Sequence, residues 1–255
     1  HLLRRQRQMC IRDRLTKMTK ENVIIIGSSG AIGEAFAQYY MQHDCDVLCL
    51  SRGEPPEAIS SLQHINFDLE NEDSIANAAA HAQSLGSYDK IIIATGILHA
   101  EDSFPEKTFK QLDQKFFQKI FNINTIGPAL LAKYFLPLLK RDVISKFVFL
   151  SARVGSISDN RLGGWHAYRS SKAALNMLIK NFAIEVQRTN PNARIFGMHP
   201  GTVDSKLSKP FQKNVSDKKL FQPTFAVQQM IKVIEEVRES DTGKVLAYDG
   251  SIIES

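Results

Sequence analysis

The fold is decided by one stretch near the start of the chain, Val23-Ile24-Ile25-Ile26-Gly27-Ser28-Ser29-Gly30-Ala31-Ile32-Gly33. Four apolar residues in succession indicate a strand that is buried on both faces, and a helical pattern follows from Ala31 to Gln42. Glycines between strand and helix permit a tight turn and let the backbone approach a pyrophosphate, while the helix N-terminus supplies N–H donors. The stretch therefore predicts a dinucleotide site formed by Gly27, Ser28, Ser29, Gly30, Ile32 and Gly33, with the two serine hydroxyls as further donors.

The alternation of apolar run and helix repeats along the rest of the chain. Further strands are expected at 47–50, 65–67, 91–94, 147–150, 194–198 and 244–248. Helices are expected at 73–83, 109–140 with a bend near 122–128, 165–187 and 225–237. This order predicts the α/β class: a single-domain Rossmann fold with a doubly wound parallel sheet of about seven strands. Ligands of such sheets bind beyond the carboxyl ends of the strands.

The composition is that of an ordinary globular protein. The chain has 255 residues, 43% of them hydrophobic and 23% charged, and carries a formal charge of +5. No apolar run approaches the roughly 18–20 residues that span a bilayer, so no membrane partner is expected. Seven basic side chains and one acidic side chain lie within residues 1–20, which makes this segment +6 and leaves the remainder close to neutral. The global charge is therefore no evidence for nucleic-acid binding.

The basic leader has its own interpretation. Residues 1–17 lack the apolar core of a secretory signal and resemble translated adaptor sequence, so we expect a non-native, disordered leader followed by translation from Met18. Residues 18–255 are then the domain. A transit peptide and a basic arm that binds nucleic acid are the alternatives.

The cysteines give no sign of a disulfide framework or a metal site. They are Cys10, Cys45 and Cys49, in a spacing that matches neither a paired framework nor a zinc ligand set. The sequence therefore predicts a reducing, cytoplasmic setting and no bound metal.

The end of the second strand bears on the choice of cofactor. An acidic residue there hydrogen-bonds a ribose 2′-hydroxyl, whereas an arginine accommodates a 2′-phosphate. This chain has Ser51-Arg52, and the guanidinium of Arg52 is a planar fork suited to phosphate. We predict NADP(H) in preference to NAD(H); a solvated arginine at a strand end is the alternative.

Tyr168 and Lys172 lie four residues apart in a predicted helix, so their side chains share one face. A lysine beside a tyrosine favours the tyrosinate and is expected to lower its pKa. The spacing also occurs by chance, and the pair is then an ordinary surface pair. Its combination with the glycine turn indicates a nicotinamide-dependent oxidoreductase.

Taken in order, these motifs resemble the short-chain dehydrogenase/reductase family from Thr19 to the C-terminus. The segments 151–160 and 246–251 are similar to its C-factor-like branch. By this resemblance Tyr168 and Lys172 are the catalytic pair and also bind the cofactor, and Asn124 is a third catalytic residue. The resemblance implies further cofactor contacts at Asp68, Leu69, Ala94, Thr95, Gly96, Pro200, Gly201 and Val203.

One position departs from the family pattern. The family serine stands three residues before a glycine, and here that position is Ala152. Ser151 is one step earlier, and one step along a strand reverses the side-chain direction. We name Ser151 as the catalytic hydroxyl, with Ser156 as the alternative; without either, Tyr168 alone holds the substrate oxygen.

The resemblance implies an NADP-dependent oxidoreductase that transfers hydride between nicotinamide and a small carbonyl or alcohol substrate. Tyr168 is expected to be the acid and base, with Lys172 beside it, and Asn124 to position a water on a proton path. The alternative is a regulatory or signalling protein that binds NAD(P) with little turnover. By resemblance, the protein is expected to be a homodimer or homotetramer.

Overall fold

The computed structural model describes residues 20–100, 103–214, 216 and 219–254. Strands in these ranges are β1 Asn22–Ile26, β2 Asp46–Ser51, β3 Gln63–Asn66, β4 Lys90–Ile93, β5 Ser145–Leu150, β6 Ala193–His199, β7 Thr202–Val203, β8 Leu220–Phe221, β9 Val245–Ala247 and β10 Ile252–Ile253. Helices are α1 Ala31–Gln42, α2 Glu72–Leu85, α3 Gln114–Phe121, α4 Gly127–Phe135, α5 His166–Gln187 and α6 Pro223–Glu236. The predicted leader, residues 1–17, lies outside the described residues.

Eight strands form the main sheet in the order β10-β9-β6-β5-β4-β1-β2-β3. All neighbours pair in parallel except β10 and β9. The predicted doubly wound parallel sheet is confirmed, and the strand beyond the expected seven is the short antiparallel β10 at one edge. The strands β7 and β8 make a separate parallel pair.

Both faces of the sheet are covered, as the continuous apolar runs predicted. In β1, Ile24 and Ile26 face a core that also contains apolar residues of α2, α4 and α5. Val23 and Ile25 face the opposite core, which contains residues of α1 and α6. Alternate side chains of one strand thus enter two cores, because successive residues point to opposite faces.

The long helix expected at 109–140 is interrupted and shorter. It begins at Gln114, where the Asp113 carboxylate accepts a hydrogen bond from the Phe116 N–H at 2.8 Å. A wide π-helical segment, Asn122–Ile126, separates α3 from α4. The helix ends at Phe135, before a 3-10 turn that contains Pro137, because proline cannot continue a helix. The predicted bend is therefore confirmed, and the predicted ends are wrong.

The register brings four strand ends to one edge. Ile26 lies opposite both Leu50 and Ile93, and Leu150 lies opposite Met198. The segments that follow β1, β4, β5 and β6 therefore begin side by side, and they carry most of the residues singled out in the sequence.

Candidate active site

Two adjoining cavities, of about 630 Å³ and about 260 Å³, open at this edge of the sheet. Five residues line both of them: Ser29, Gly30, Ala94, Thr95 and Gly96. The two cavities are therefore halves of one groove across the ends of β1 and β4. This is the position at which doubly wound sheets bind ligands.

The glycine turn between β1 and α1 forms the floor of the groove. Gly27 has a φ of +90°, which is unfavourable for other residues. A side chain at Gly33 would place its Cβ 2.2 Å from the Gly27 carbonyl oxygen, so only glycine fits there. The first N–H groups of α1 lack partners within the helix and are available to an anion. The predicted phosphate turn is thus present, with Gly33 packed beneath it rather than facing the groove.

The two serines of the turn differ. Ser29 lines both halves of the groove, whereas Ser28 is fully buried and lines neither. The Ser28 side chain packs below the turn, and its Oγ has no hydrogen-bond partner among the described residues, so its role as a ligand donor stays a prediction. A donor that the sequence did not single out for its hydroxyl is Thr95: its Oγ1 is buried at the groove wall and has no hydrogen-bond partner among the described residues.

The smaller cavity contains the residues expected to contact adenosine. Arg52, Asp68 and Leu69 line it together with the turn. The end of β2 is held in place by a hydrogen bond of 2.9 Å between Ser51 Oγ and His64 Nε2. Arg52 is exposed and has no ion pair among the residues that the structure describes.

Tyr168 and Lys172 lie in the first two turns of α5 and line the larger cavity. Tyr168 is 9% exposed and Lys172 is 4% exposed. The Lys172 ammonium donates to the Leu150 carbonyl at 2.9 Å and lies 6.0 Å from the centre of the Tyr168 ring. The predicted pairing on one helix face is therefore present.

The predicted lowering of the tyrosine pKa is wrong for this structure. Burial raises the pKa of Tyr168 to about 12. Burial also lowers the pKa of Lys172 to about 8. Desolvation opposes the charged form of each group, and here it outweighs the attraction between them. Tyr168 is consequently protonated at neutral pH, ready to donate a proton.

Asn124 is fully buried in the π-helical segment, and its carboxamide is engaged by protein groups. Its Oδ1 accepts from the Ile97 N–H at 2.9 Å, and its Nδ2 donates to the Ile97 carbonyl at 2.8 Å and to Ser171 Oγ at 3.3 Å. The side chain thus ties the segment after β4 to α5, one residue from Lys172. The carboxamide therefore has a structural role in holding these two segments together. The proton path through a water stays a prediction.

The two serines proposed as the catalytic hydroxyl differ in their surroundings. Ser151 is 4% exposed and donates from its Oγ to Asn176 Oδ1 at 2.6 Å, on the side of α5. Ser156 is buried away from the groove and accepts from the Asp159 N–H at 3.1 Å. Ser151 lines the larger cavity, but its hydroxyl is engaged by Asn176, and Ser156 lines neither cavity; the assignment of the catalytic hydroxyl stays a prediction. Ala152 packs against Tyr168 instead.

We expect Ala152→Ser to raise kcat/KM for carbonyl reduction by about 2- to 10-fold, since one added hydrogen bond to the substrate oxygen contributes about 0.5–1.5 kcal/mol. Ser151→Ala should change turnover less than about twofold, because its hydroxyl binds only Asn176. Steady-state kinetics of both variants decide the matter. A large loss of turnover in Ser151→Ala would support the assignment of Ser151 as the catalytic hydroxyl.

The far end of the larger cavity is mainly apolar. Leu98, Val154, Trp165, Leu207 and Phe211 line it around Tyr168. Pro200, Gly201 and Val203 also line it, and their contact with the cofactor stays a prediction. His199 also lines it, and burial, reinforced by the Arg153 charge, lowers its pKa to about 4. It is therefore neutral at physiological pH and does not compete with Tyr168 as an acid.

One residue near the site was missed in the sequence. Glu106 is 3% exposed, and its carboxylate accepts from the Ala167 N–H at the start of α5. It lies in a long segment without regular pattern that also contains Glu101, so no sequence signal marked it.

The groove fits a nicotinamide dinucleotide. The glycine turn leaves room for a pyrophosphate, Arg52 and Asp68 flank the adenosine half, and the unpaired Thr95 hydroxyl lies between the halves. Among the described residues, no group of three or more potential metal ligands occurs. Within the same ranges no helix is long and apolar enough to cross a bilayer.

Comparison with known proteins agrees with this site. Residues 21–216 match the family described as short chain dehydrogenase. The 1-hydroxy-2-glutathionyl-2-methyl-3-butene dehydrogenase of Rhodococcus sp. (strain AD45) is 26% identical over 235 residues, which cover 91% of this chain and 98% of that protein. C-signal of Myxococcus xanthus is 29% identical over 141 residues, covering 55% of this chain and 79% of that protein.

A solved structure has the same fold. The NADPH-bound carbonyl reductase from chicken fatty liver superposes with a TM-score of 0.80 at 24% identity, covering 92% of this chain and 99% of that one. The family match extends over most of the chain and includes the glycine turn, Tyr168 and Lys172. The chain therefore belongs to the short-chain dehydrogenase family and is an NAD(P)-dependent oxidoreductase.

Proposed function

We propose that the protein is an NADP(H)-dependent reductase of small, apolar carbonyl compounds, able to oxidise the corresponding alcohols. The observation that carries the proposal is the placement of Tyr168 and Lys172 in one wall of the larger cavity, next to the glycine turn. A protonated phenol there can give its proton to a substrate oxygen.

The chain's own residues supply orientation and proton transfer. A bound nicotinamide supplies the hydride. Tyr168 donates its proton to the carbonyl oxygen during reduction and accepts one from the alcohol during oxidation. Lys172 lies behind it, held by the Leu150 carbonyl, and its positive charge favours loss of the proton from Tyr168. Asn124 holds the segment after β4 against α5 and thereby keeps the groove in register with this pair.

The apolar end of the cavity supports the substrate class. Leu98, Val154, Trp165 and Phe211 surround Tyr168 with apolar side chains, which favours an alkyl or aryl group there. Arg153 and Lys206 line the same cavity. The carbonyl reductase activity named for the chicken protein is of the same type.

Arg52 supports the preference for NADP(H). Its exposed guanidinium lines the adenosine half of the groove, and the chicken relative is bound to NADPH. We expect Arg52→Asp to weaken NADPH binding by about 10- to 100-fold, since a hydrogen bond to a charged group contributes about 1.5–3 kcal/mol. NADH binding should change little, because NADH lacks the 2′-phosphate.

Titration of both nucleotides against the native protein and Arg52→Asp measures this directly, and NADPH oxidation with a panel of aryl and alkyl ketones measures turnover. Arg188→Asp is the matched control: it reverses the same charge at the exposed far end of α5. A native preference for NADH would refute the cofactor assignment.

A regulatory protein with little turnover is the second candidate. It is favoured by Ala152 in the place of the family serine and by the similarity to C-signal. Tight NADPH binding without consumption of NADPH by any carbonyl compound, unchanged in Tyr168→Phe, would support it.

We further propose a cytoplasmic homodimer or homotetramer that acts on small molecules. Cys45 and Cys49 are both free, which suits a reducing compartment. Ile126, Met177 and Ile184 expose apolar side chains on the π-helical segment and on α5, a feature typical of a surface covered by another subunit.

A further inference from the structure

The segment that enters α5 has an unusual backbone. Gly163, Gly164 and Trp165 have φ angles of +63°, +66° and +50°. The first two are glycines, for which this conformation is free of strain. Trp165 is a bulky residue in the left-handed region, a strained conformation that surrounding contacts must offset.

Glu106 supplies those contacts from the segment that follows β4. Its backbone carbonyl accepts a hydrogen bond from the Trp165 N–H at 2.5 Å. Its two carboxylate oxygens accept from the Ala167 N–H at 3.2 Å and 3.3 Å. A Cβ on Gly164 would lie 3.4 Å from the Glu106 carbonyl oxygen, so the two backbones are in close approach. Glu106 therefore accepts hydrogen bonds from the residue before His166 and from the residue after it, where α5 begins.

The same turn positions the reacting side chain. Tyr168 is the third residue of α5, and the Trp165 ring packs edge-on against it with 6.3 Å between ring centres. Trp165 also contacts Phe211 from the opposite wall, at 5.1 Å between centres. A change in the backbone at Trp165 would thus move both the Tyr168 hydroxyl and the wall of the cavity.

The burial of Glu106 is explained by this position. A carboxylate is favoured at a helix N-terminus, where unpaired N–H groups and the helix dipole attract negative charge. The Ala167 N–H and the N-terminus of α5 compensate this charge, and no basic side chain pairs with Glu106 among the described residues.

We propose that Glu106 is a positioning residue, which holds the left-handed turn at Trp165 and thereby sets the Tyr168 hydroxyl and the Trp165 ring in the geometry that carbonyl reduction needs. The expected effect on kcat rests on the proposed function. The structural part of the proposal stands independently, because Trp165 is the single tryptophan of the chain and its fluorescence reports the turn directly.

The test compares Glu106→Ala with Glu106→Gln and Asp113→Ala. Glu106→Ala should change the emission maximum of Trp165 and lower kcat by about 10- to 100-fold, the range that follows misplacement of a catalytic group by about 1 Å. NADPH affinity should stay within about twofold, because the glycine turn is untouched. Glu106→Gln keeps one acceptor oxygen and should recover most of the kcat and the native emission.

Asp113→Ala is the matched control, because it removes a carboxylate cap from α3, and no hydrogen bond joins Asp113 to the turn at Trp165 among the described residues. Both alanine variants are expected to lower the midpoint of thermal unfolding by a similar amount, because each loses one cap. A kcat for Glu106→Ala equal to that of Asp113→Ala, with native Trp165 emission, would overturn the proposal. Failure of Glu106→Gln to recover kcat would also count against it.

If Glu106→Ala does not fold, two glycine variants test the same proposal. Gly163→Ala and Gly164→Ala carry similar left-handed strain, yet only Gly164→Ala places a Cβ in contact with the Glu106 carbonyl oxygen, at 3.4 Å. Gly164→Ala should therefore shift the Trp165 emission more than Gly163→Ala, and equal shifts would contradict the proposal. If the native protein shows no turnover, the proposed function fails, whereas the emission of these variants still decides the role of Glu106.

Discussion

Tyr168→Phe should lower kcat/KM for carbonyl reduction by about 10²- to 10⁴-fold, the range expected when a positioned proton donor is removed. The substitution deletes only the hydroxyl, and the remaining ring still packs against Leu98 and Trp165. The affinity for NADPH should change little, because the glycine turn and Arg52 are untouched. Steady-state kinetics with a ketone substrate and a fluorescence titration with NADPH separate the two effects.

Tyr88→Phe is the matched control. Burial raises the pKa of both Tyr88 and Tyr168 to about 12, but the Tyr88 hydroxyl donates to the Ala82 carbonyl far from the groove. Tyr88→Phe should therefore cost some stability and leave turnover nearly intact. Equal activities of Tyr168→Phe and the native protein would remove the proposed mechanism.

The Tyr168 hydroxyl predicts opposite pH dependences for carbonyl reduction and alcohol oxidation. With its raised pKa, Tyr168 is protonated at neutral pH, which is the form that reduction uses. Oxidation needs the deprotonated form, whose fraction rises with pH below the pKa. Alcohol oxidation should thus increase from pH 7 to pH 10 (about neutral to alkaline), and Tyr168→Phe should abolish that increase.

Gly33→Ala should weaken NADPH binding by about 10- to 100-fold, since overpacking at a tight contact costs typically 1–3 kcal/mol. Its Cβ would lie 2.2 Å from the Gly27 carbonyl oxygen, which forces the turn away from the start of α1. The displaced turn no longer presents its N–H groups to the pyrophosphate. Thermal unfolding and an NADPH titration measure the two consequences.

Gly30→Ala provides a graded comparison within the same turn. Its Cβ would lie 3.4 Å from the same Gly27 oxygen, and its φ of −85° is acceptable for alanine. The loss of affinity should be smaller than in Gly33→Ala. The reverse order would show that steric fit beneath the turn does not control nucleotide binding.

Much of the fold was predictable because it depends on local patterns. The side chains of Val23 to Ile26 point alternately into the two cores. A run of apolar residues with no polar residue among them predicts such a strand, buried on both faces. The helix boundaries at 109–140 were less predictable. Asp113 caps the first helix at its start, and Pro137 prevents the second helix from continuing. The apolar pattern runs beyond both positions, so by itself it predicts a helix that is too long.

The candidate site divides in the same way. Gly27, Gly33, Tyr168 and Lys172 were recognisable because each acts through spacing within one turn or one helix. The direction of the Ser151 hydroxyl was not, because it depends on Asn176 of a neighbouring helix. The pKa of Tyr168 was misjudged for a related reason: the helix spacing shows the neighbouring charge and not the depth of burial.

Periodicity and short spacings along the chain were enough to predict the class of fold, the position of the glycine turn and the pair of residues proposed to transfer the proton. Contacts between distant segments were needed to show that Asn176 engages the Ser151 hydroxyl, how burial shifts the pKa values of Tyr168 and Lys172, and that Glu106 meets the turn before α5. Those properties arise between segments that are distant in sequence, where the packing of side chains against one another sets direction, solvation and strain.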